Sequence, residues 1–131
     1  TIVASYHGIP KKYFDKGDPY HCYCQKTTRL LSEQFKQIPI QTTFQSRFGP
    51  QEWLQPYTDK TLENLPAEGK KKVLVICPGF SSDCVETLEE ISMQGKESFM
   101  KNGGKNFDAV PCLNDNEDHI KLLTSLIQRN I

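Results

Sequence analysis

Three groups of residues have side chains and spacing suited to chemistry. His7 is followed by Gly8 and then Pro10. An imidazole titrates near neutrality and can take a proton or bind a first-row metal, and a following glycine lets a ligand approach closely. The plainer reading is a strand-end histidine hydrogen-bonded into its own loop. Asp83, Glu86 and Glu90 are three and four residues apart, so on a helix their carboxylates rise along one face, suited to metal or proton handling. The same spacing also describes a capping box from Asp83 to Glu86 on an ordinary solvated face, and acids in a first turn suit the helix dipole. Only their position just after a strand favours the chemical reading. Arg47, Phe48, Trp53, Tyr57 and Phe80 either line an apolar pocket for a flat ligand or form an aromatic core under a long loop.

The cysteines point less clearly. Cys22 and Cys24 flank Tyr23, and Cys77, Cys84 and Cys112 lie elsewhere, without the paired C-x-x-C spacing of a zinc site. An iron–sulfur cluster takes about four thiolates, so Cys22 and Cys24 would need others to join them. No phosphate loop, nucleophile elbow or dinucleotide glycine motif is present, which removes support for nucleotide and serine-hydrolase chemistry. Lys plus Arg and Asp plus Glu both number 16, so no net field draws the chain to nucleic acid. The longest apolar run, Val73 to Cys77, is far shorter than the roughly 20 residues of a membrane span. An odd number of cysteines, unevenly spread, suggests a reducing compartment, and the cytoplasm is expected.

The elements that must position these residues follow from pattern. With 131 residues, one domain over 1–131 is expected, able to bury roughly two thirds of its unfolded surface. The chain begins at Thr1 directly in a strand, which suggests that upstream residues of the same fold are missing. Strands are predicted over 1–7, 38–45, 71–77 and 107–113, from β-branched and apolar runs ended by Gly and Pro. Helices are predicted over 22–35, with Thr27, Leu30, Leu31, Gln34 and Phe35 on its core face, and over 58–65. A third spans 84–101, capped by Ser82 and Asp83, with Val85, Leu88, Ile91, Ser92, Gly95 and Phe99 inward. A last one is capped by Asn114 and Asp115, with Ile120, Leu123, Leu126 and Ile127 inward. Residues 11–20 and 46–56 read as loops. Four alternations of strand and helix make an α/β fold: a mainly parallel four-stranded sheet with helices on both faces. In such sheets ligands bind outside the carboxyl ends of the strands, near His7, Gln45 to Arg47, Gly79 to Asp83 and Leu113 to Asp115.

Those same residues resemble a known family. Ile2-Val3-Ala4-Ser5-Tyr6-His7-Gly8-Ile9-Pro10, then Lys16-Gly17-Asp18-Pro19-Tyr20, are similar to the signature of the ferrochelatases. Phe44-Gln45-Ser46-Arg47-Phe48-Gly49-Pro50 with Trp53-Leu54 and Thr58-Asp59, and Cys77-Pro78-Gly79-Phe80-Ser81-Ser82-Asp83 with Glu86-Thr87-Leu88 and Leu113-Asn114, follow in the family's order across nearly the whole chain. The resemblance implies the C-terminal, chelatase-like half of a two-domain enzyme, a lyase inserting Fe²⁺ into protoporphyrin IX in the last step of haem synthesis. It implies His7 as proton acceptor or metal ligand and Glu86 as the carboxylate facing it. Glu90 and Asp83 would continue an acidic metal path, and Trp53, Phe80 and Ser46 would contact porphyrin. Beyond Fe²⁺ as substrate no cofactor is expected. Animal relatives bind a [2Fe–2S] cluster through a C-terminal extension, and this chain stops at Ile131. Many relatives have histidine where Cys84 stands, which puts a soft thiol near the metal route. The implied partner is the N-terminal half of the same protein, without which the chain is expected to be inactive, and peripheral membrane contact is compatible with the family. The alternatives are a cobalt or nickel chelatase of a related tetrapyrrole and a non-catalytic porphyrin or haem binding module.

Overall fold

Ile2–His7 (β1) is the strand on which the others assemble in the computed structural model, which describes residues 1–131. It pairs in parallel with Ile40–Gln45 (β2) on one side and Lys72–Ile76 (β3) on the other, and Asn106–Ala109 (β4) extends the sheet beyond β3. The order is β2-β1-β3-β4, all parallel, so each strand returns through a crossover that carries a helix. Lys11–Asp15 (α1) and Tyr20–Gln34 (α2) follow β1, and Thr58–Asn64 (α3) follows β2. After β3 a π-helix, Glu86–Gly95, runs straight into Lys96–Lys101 (α4), and Glu117–Gln128 (α5) ends the chain.

Period-two alternation along the strands divides the core. Val3, Val73, Val75 and Phe107 meet Leu62 and Leu65 of the α3 region, Ile91 of the π-helix and Phe99 of α4 on one face. Ala4, Tyr6 and Phe44 meet Cys24 of α2 and Leu54 on the other. The α/β class and four parallel strands with helices on both faces therefore stand as expected. His7 shares its parity with Val3 and Ser5, so the alternation that builds the first core also aims His7 at the side of the sheet that carries the π-helix.

Several boundaries and faces differ from the sequence expectation, each for an identifiable reason. Residues 11–15 are helical: Pro10 occupies the N-cap position and Lys11 pairs with Asp15 at 3.0 Å one turn later. The strand β4 stops at Ala109, because Val110 N–H still reaches Val75 O at 2.9 Å but Pro111 has no N–H to continue the ladder. In α2 the buried positions are Cys24 and Thr28, whereas Leu30 and Phe35 are exposed. The helix turns this way because Thr28 Oγ1 accepts from Thr42 Oγ1 at 2.8 Å and lies 3.0 Å from Tyr6 Oη, a polar seam that apolar periodicity cannot register. The long helix keeps Ile91, Gly95 and Phe99 inward as expected but not the rest of that face. Thr87, Ile91, Gly95 and Phe99 are buried, and Val85 and Leu88, expected inside, are exposed. In a π-helix the bonds run i to i+5, so the α-helical stripe no longer applies. Side-chain bonds keep the five-residue step, from Ser92 Oγ to Thr87 O at 3.0 Å and from Gln94 Nε2 to Glu89 Oε1 at 3.1 Å. In α5 the N-cap is Asn116, whose side chain accepts from Asp118 N, rather than Asn114 or Asp115. Ile120, Leu123, Leu126 and Ile127 face outward, and only His119 is buried.

Phe99 is fully buried and packs against Gly104, where an added Cβ would collide with its ring. In urea denaturation of the 131-residue chain, Phe99→Ala is expected to cost about 3–5 kcal/mol through the cavity it leaves, and Gly104→Ala about 1–3 kcal/mol through overpacking. A Gly104→Ala chain as stable as the parent would show that this packing is not tight.

Candidate functional site

Strands β1 and β2 end together, with His7 opposite Gln45 in the register. Gly8 N–H donates to Gln45 O at 2.8 Å, which carries the pairing one step past the strand. A Cβ on Gly8 would stand 3.0 Å from that carbonyl and 3.2 Å from the Trp53 ring, so a side chain here would push the strand ends apart. His7 Nδ1 lies 2.6 Å from Gly8 O. A carbonyl can only accept, so Nδ1 carries the proton, and the lone pair of Nε2 is left for a proton or a metal. Tyr20 Oη donates to His7 O at 2.8 Å, and burial pushes that phenol well above its usual range, so it stays a donor at any neutral pH. The Phe80 ring lies 6.3 Å from the imidazole, centroid to centroid.

Glu86 opens the π-helix and is partly exposed. A hydrogen bond from the Cys84 side chain, and then its own backbone N–H, hold its carboxyl below the usual range. Asp83 is engaged elsewhere. Its carboxylate accepts from Asn114 Nδ2 at 2.9 Å, Thr87 Oγ1 at 2.9 Å and Cys112 N at 3.3 Å, and its N–H donates to Asn114 Oδ1 at 2.8 Å. The Asn114 bond chiefly lowers its pKa. The expected capping box is not formed. The Cys84 N–H goes to Thr87 Oγ1 at 3.0 Å, and Asp83 ties the start of the π-helix to the β4–α5 loop. Asn114 takes a left-handed φ of 48° to meet it, a conformation asparagine tolerates better than most residues.

Glu90 is equally committed. Its carboxylate accepts from Ser46 N and Ser46 Oγ, both at 2.6 Å, and from Gln45 Nε2 at 3.4 Å. The Gln45 side chain, 3% exposed, also donates to Glu86 O at 2.7 Å and accepts from Ser5 Oγ at 2.7 Å and Cys77 Sγ at 3.6 Å. Behind it, Thr58 Oγ1 lies 2.8 Å from both Ser5 Oγ and Thr43 Oγ1. Every buried side-chain polar atom has a partner, as a polar layer inside a core requires. A cavity of about 300 Å³ opens beside this network between β2, α3 and the π-helix, and neither His7 nor Glu86 lines it.

The structure therefore brings His7, Glu86 and Phe80 to one edge of the sheet and ties Ser46 to Glu90. It does not gather His7, Glu86, Glu90 and Asp83 into one ligand shell: no three His, Cys, Asp or Glu side chains are disposed around a single ion position. Trp53 is 8% exposed, lies under Gly8 and donates from Nε1 to Phe48 O at 2.8 Å, while Phe48 itself is 81% exposed. Arg47 grips Asp59 with two bonds of 3.1 and 2.8 Å and lies over the Tyr57 ring at 4.1 Å. The aromatic set is thus split between a buried support and an exposed lip. Cys24 is buried and Cys22 exposed, so the C-x-C pair does not turn two thiols to one side. Gln45, which the sequence reading places at a strand's carboxyl end but gives no role, joins these groups. The available signal was a polar residue closing a strand whose parity faces the core.

Comparison with known proteins places the chain in a family and a fold. The family model described as Ferrochelatase matches residues 1–131. Curated proteins named ferrochelatase are similar along the whole chain. That of Rhizobium meliloti (strain 1021) is 58% identical over 132 residues, covering 99% of this chain and 39% of that protein. That of Rhizobium etli (strain CIAT 652) is 57% identical, with 99% and 38% covered. That of Francisella tularensis subsp. novicida (strain U112) is 51% identical, with 100% and 40% covered. The chain spans about two fifths of the length of these relatives. Among solved structures, a cobalamin (vitamin B12) biosynthesis CbiX protein from Marinobacter aquaeolei VT8 superposes with a TM-score of 0.60 at 11% identity, covering 98% of this chain and 94% of that one, which shows a shared chelatase-like fold. No helix is long and apolar enough to cross a membrane.

The thiols differ in burial. Burial pushes Cys77 up to about 12 and Cys112 up to about 11, whereas Cys22 is exposed. Since the thiolate is the nucleophile, iodoacetamide at pH 8 is expected to modify Cys22 first and spare Cys77 and Cys112 until the chain is unfolded, as read by peptide mass spectrometry. Labelling of Cys77 as fast as Cys22 in the native chain would contradict the burial described.

Proposed function

The chain belongs to the ferrochelatase family, and from that premise we propose that it is the part of a ferrochelatase that supplies the His7–Glu86 side of the cleft for inserting Fe²⁺ into protoporphyrin IX. The remaining wall of the cleft is assigned to the part of the protein outside this chain. The observation that carries the reading is that Gln45 ties both the Gly8 N–H after His7 and the Glu86 carbonyl, which sets the imidazole and the carboxylate at the same carboxyl end of the sheet. The cytoplasm remains the proposed compartment, on the cysteine count.

Metallation exchanges two pyrrole N–H protons for one Fe²⁺, so charge is conserved and both protons must find acceptors. A proton acceptor works best when its own affinity lies near the working pH, which suits an imidazole. A carboxylate held below its usual range is a weak base at neutral pH but remains an anionic oxygen ligand for a hydrated divalent cation. His7 is accordingly assigned to take the two macrocycle protons in turn through Nε2, releasing each to water, and Glu86 to hold Fe²⁺ as it loses its own water ligands. Phe80 beside the imidazole supplies apolar surface for the porphyrin. Trp53 acts from beneath, holding Gly8 and the His7 end of β1 in place. Ser46, tied to Glu90, fixes the loop that carries Arg47 and Phe48.

In the full-length protein, His7→Ala is expected to reduce anaerobic Fe²⁺ insertion by about 100-fold or more, from the lower end upward of the range for one positioned proton acceptor, while circular dichroism stays unchanged. Near-normal turnover in that variant, read by absorbance of the metallated porphyrin, would remove His7 from the reaction.

A further inference from the structure

Two reacting groups on different elements need something to fix the gap between them. His7 is on β1 and Glu86 on the π-helix, and both are attached to one residue of β2. The main-chain carbonyl of Gln45 takes the Gly8 N–H at 2.8 Å, directly after His7, and its side-chain amide donates to the Glu86 carbonyl at 2.7 Å. The amide cannot swing away. It is 3% exposed, with Ser5 Oγ on its oxygen at 2.7 Å and Glu90 against its nitrogen at 3.4 Å. Glu90 closes the other end of the clamp. Ser46 holds a left-handed φ of 63°, which a serine rarely adopts. Both of its donors, N–H and Oγ, meet the Glu90 carboxylate at 2.6 Å. With both oxygens committed to Gln45 and Ser46 at the end of β2, Glu90 has the partners of an anchor.

We propose that Gln45 sets Glu86 against His7, with Glu90 as its co-anchor, so that both act as positioning residues and Glu90 is not a ligand of the substrate metal. This rests on the reading that His7 and Glu86 are the reacting pair. Small displacements of reacting groups are costly, so losing the clamp lowers turnover without weakening capture of the metal.

The test uses the full-length protein with Gln45→Met, which keeps the buried length but no amide, and Glu90→Gln, which keeps an acceptor for Ser46 but only one oxygen. Under anaerobic conditions with Fe²⁺ and protoporphyrin IX, kcat is expected to fall about 10- to 100-fold in Gln45→Met and by a smaller factor in Glu90→Gln, with KM for Fe²⁺ within about twofold in both. Amide hydrogen exchange across Glu86–Gly95 is expected to quicken in Gln45→Met, with the rest of the domain unchanged. A folded Gln45→Met protein with wild-type kcat and wild-type exchange would overturn the clamp. A large rise in KM for Fe²⁺ in Glu90→Gln at unchanged kcat would make Glu90 a metal ligand. If the unaltered protein does not metallate the porphyrin, the functional reading fails by itself, and the exchange experiment still decides whether Gln45 pins the π-helix. If Gln45→Met does not fold, Glu90→Gln decides by the same two readouts.

Discussion

The register between β1 and β2 is the constraint on which the rest of the site depends. It places His7 beside Gln45 and turns both toward the face of the sheet that the π-helix covers. Side chains alternate along a strand, so a slip of one residue would swing the Gln45 amide to the α2 face. Ser5 Oγ and Glu86 O would lose their partner, and the amide would meet the apolar surroundings of Ala4, Tyr6 and Phe44. Each unsatisfied buried group costs about 1–3 kcal/mol, a sizeable part of the roughly 5–15 kcal/mol that holds a domain of this size together. The polar layer of Ser5, Thr43, Gln45 and Thr58 thus specifies a register that the apolar residues of the two strands would define less sharply.

A long π-helix above that layer is the second unusual feature. Runs of i to i+5 bonds are rare and are found frequently at functional sites. Here the wider turn buries Thr87, Ile91 and Gly95 at every fourth position, and α4 carries the row on to Phe99. It also carries Glu86 and Glu90 past the end of β2 on the same side, where Gln45 and Ser46 bond both. The acids that the sequence groups together then divide. Asp83 holds the β4–α5 loop, Glu90 holds Ser46, and Glu86, whose carboxyl meets the Cys84 side chain, is the one proposed to act opposite His7. The proposed division of labour in metallation, an imidazole for the proton and a carboxylate for the metal, follows from what each group is bonded to.

The parallel sheet was legible because Ile2 to Tyr6 and Val73 to Ile76 are apolar runs bounded by glycine and proline, and His7 was legible because it closes one of them. The family signature carried the pairing of His7 with Glu86. Other features depend on partners distant in sequence. The inward face of α2 is set by hydroxyls of Tyr6, Thr28 and Thr42 finding one another. The end of β4 is set by Pro111 lacking an N–H to pair with β3. The outward face of α5 has a helical apolar stripe like any core helix, and nothing in its own pattern says that no element of this chain covers it. Gln45 is legible as a strand end but not as a clamp, because a glutamine has no distinctive chemistry until the two groups it joins are known.

The most direct measurement is anaerobic Fe²⁺ insertion into protoporphyrin IX by the full-length protein, by the 131-residue chain, and by the full-length protein with Glu86→Gln, each followed by absorbance. Turnover by the full-length protein, none by the shorter chain, and a loss of at least about 100-fold on removing the Glu86 charge are expected if this domain supplies one side of a shared cleft. Full turnover by the Glu86→Gln protein, or porphyrin bound without metallation by the unaltered one, would contradict it.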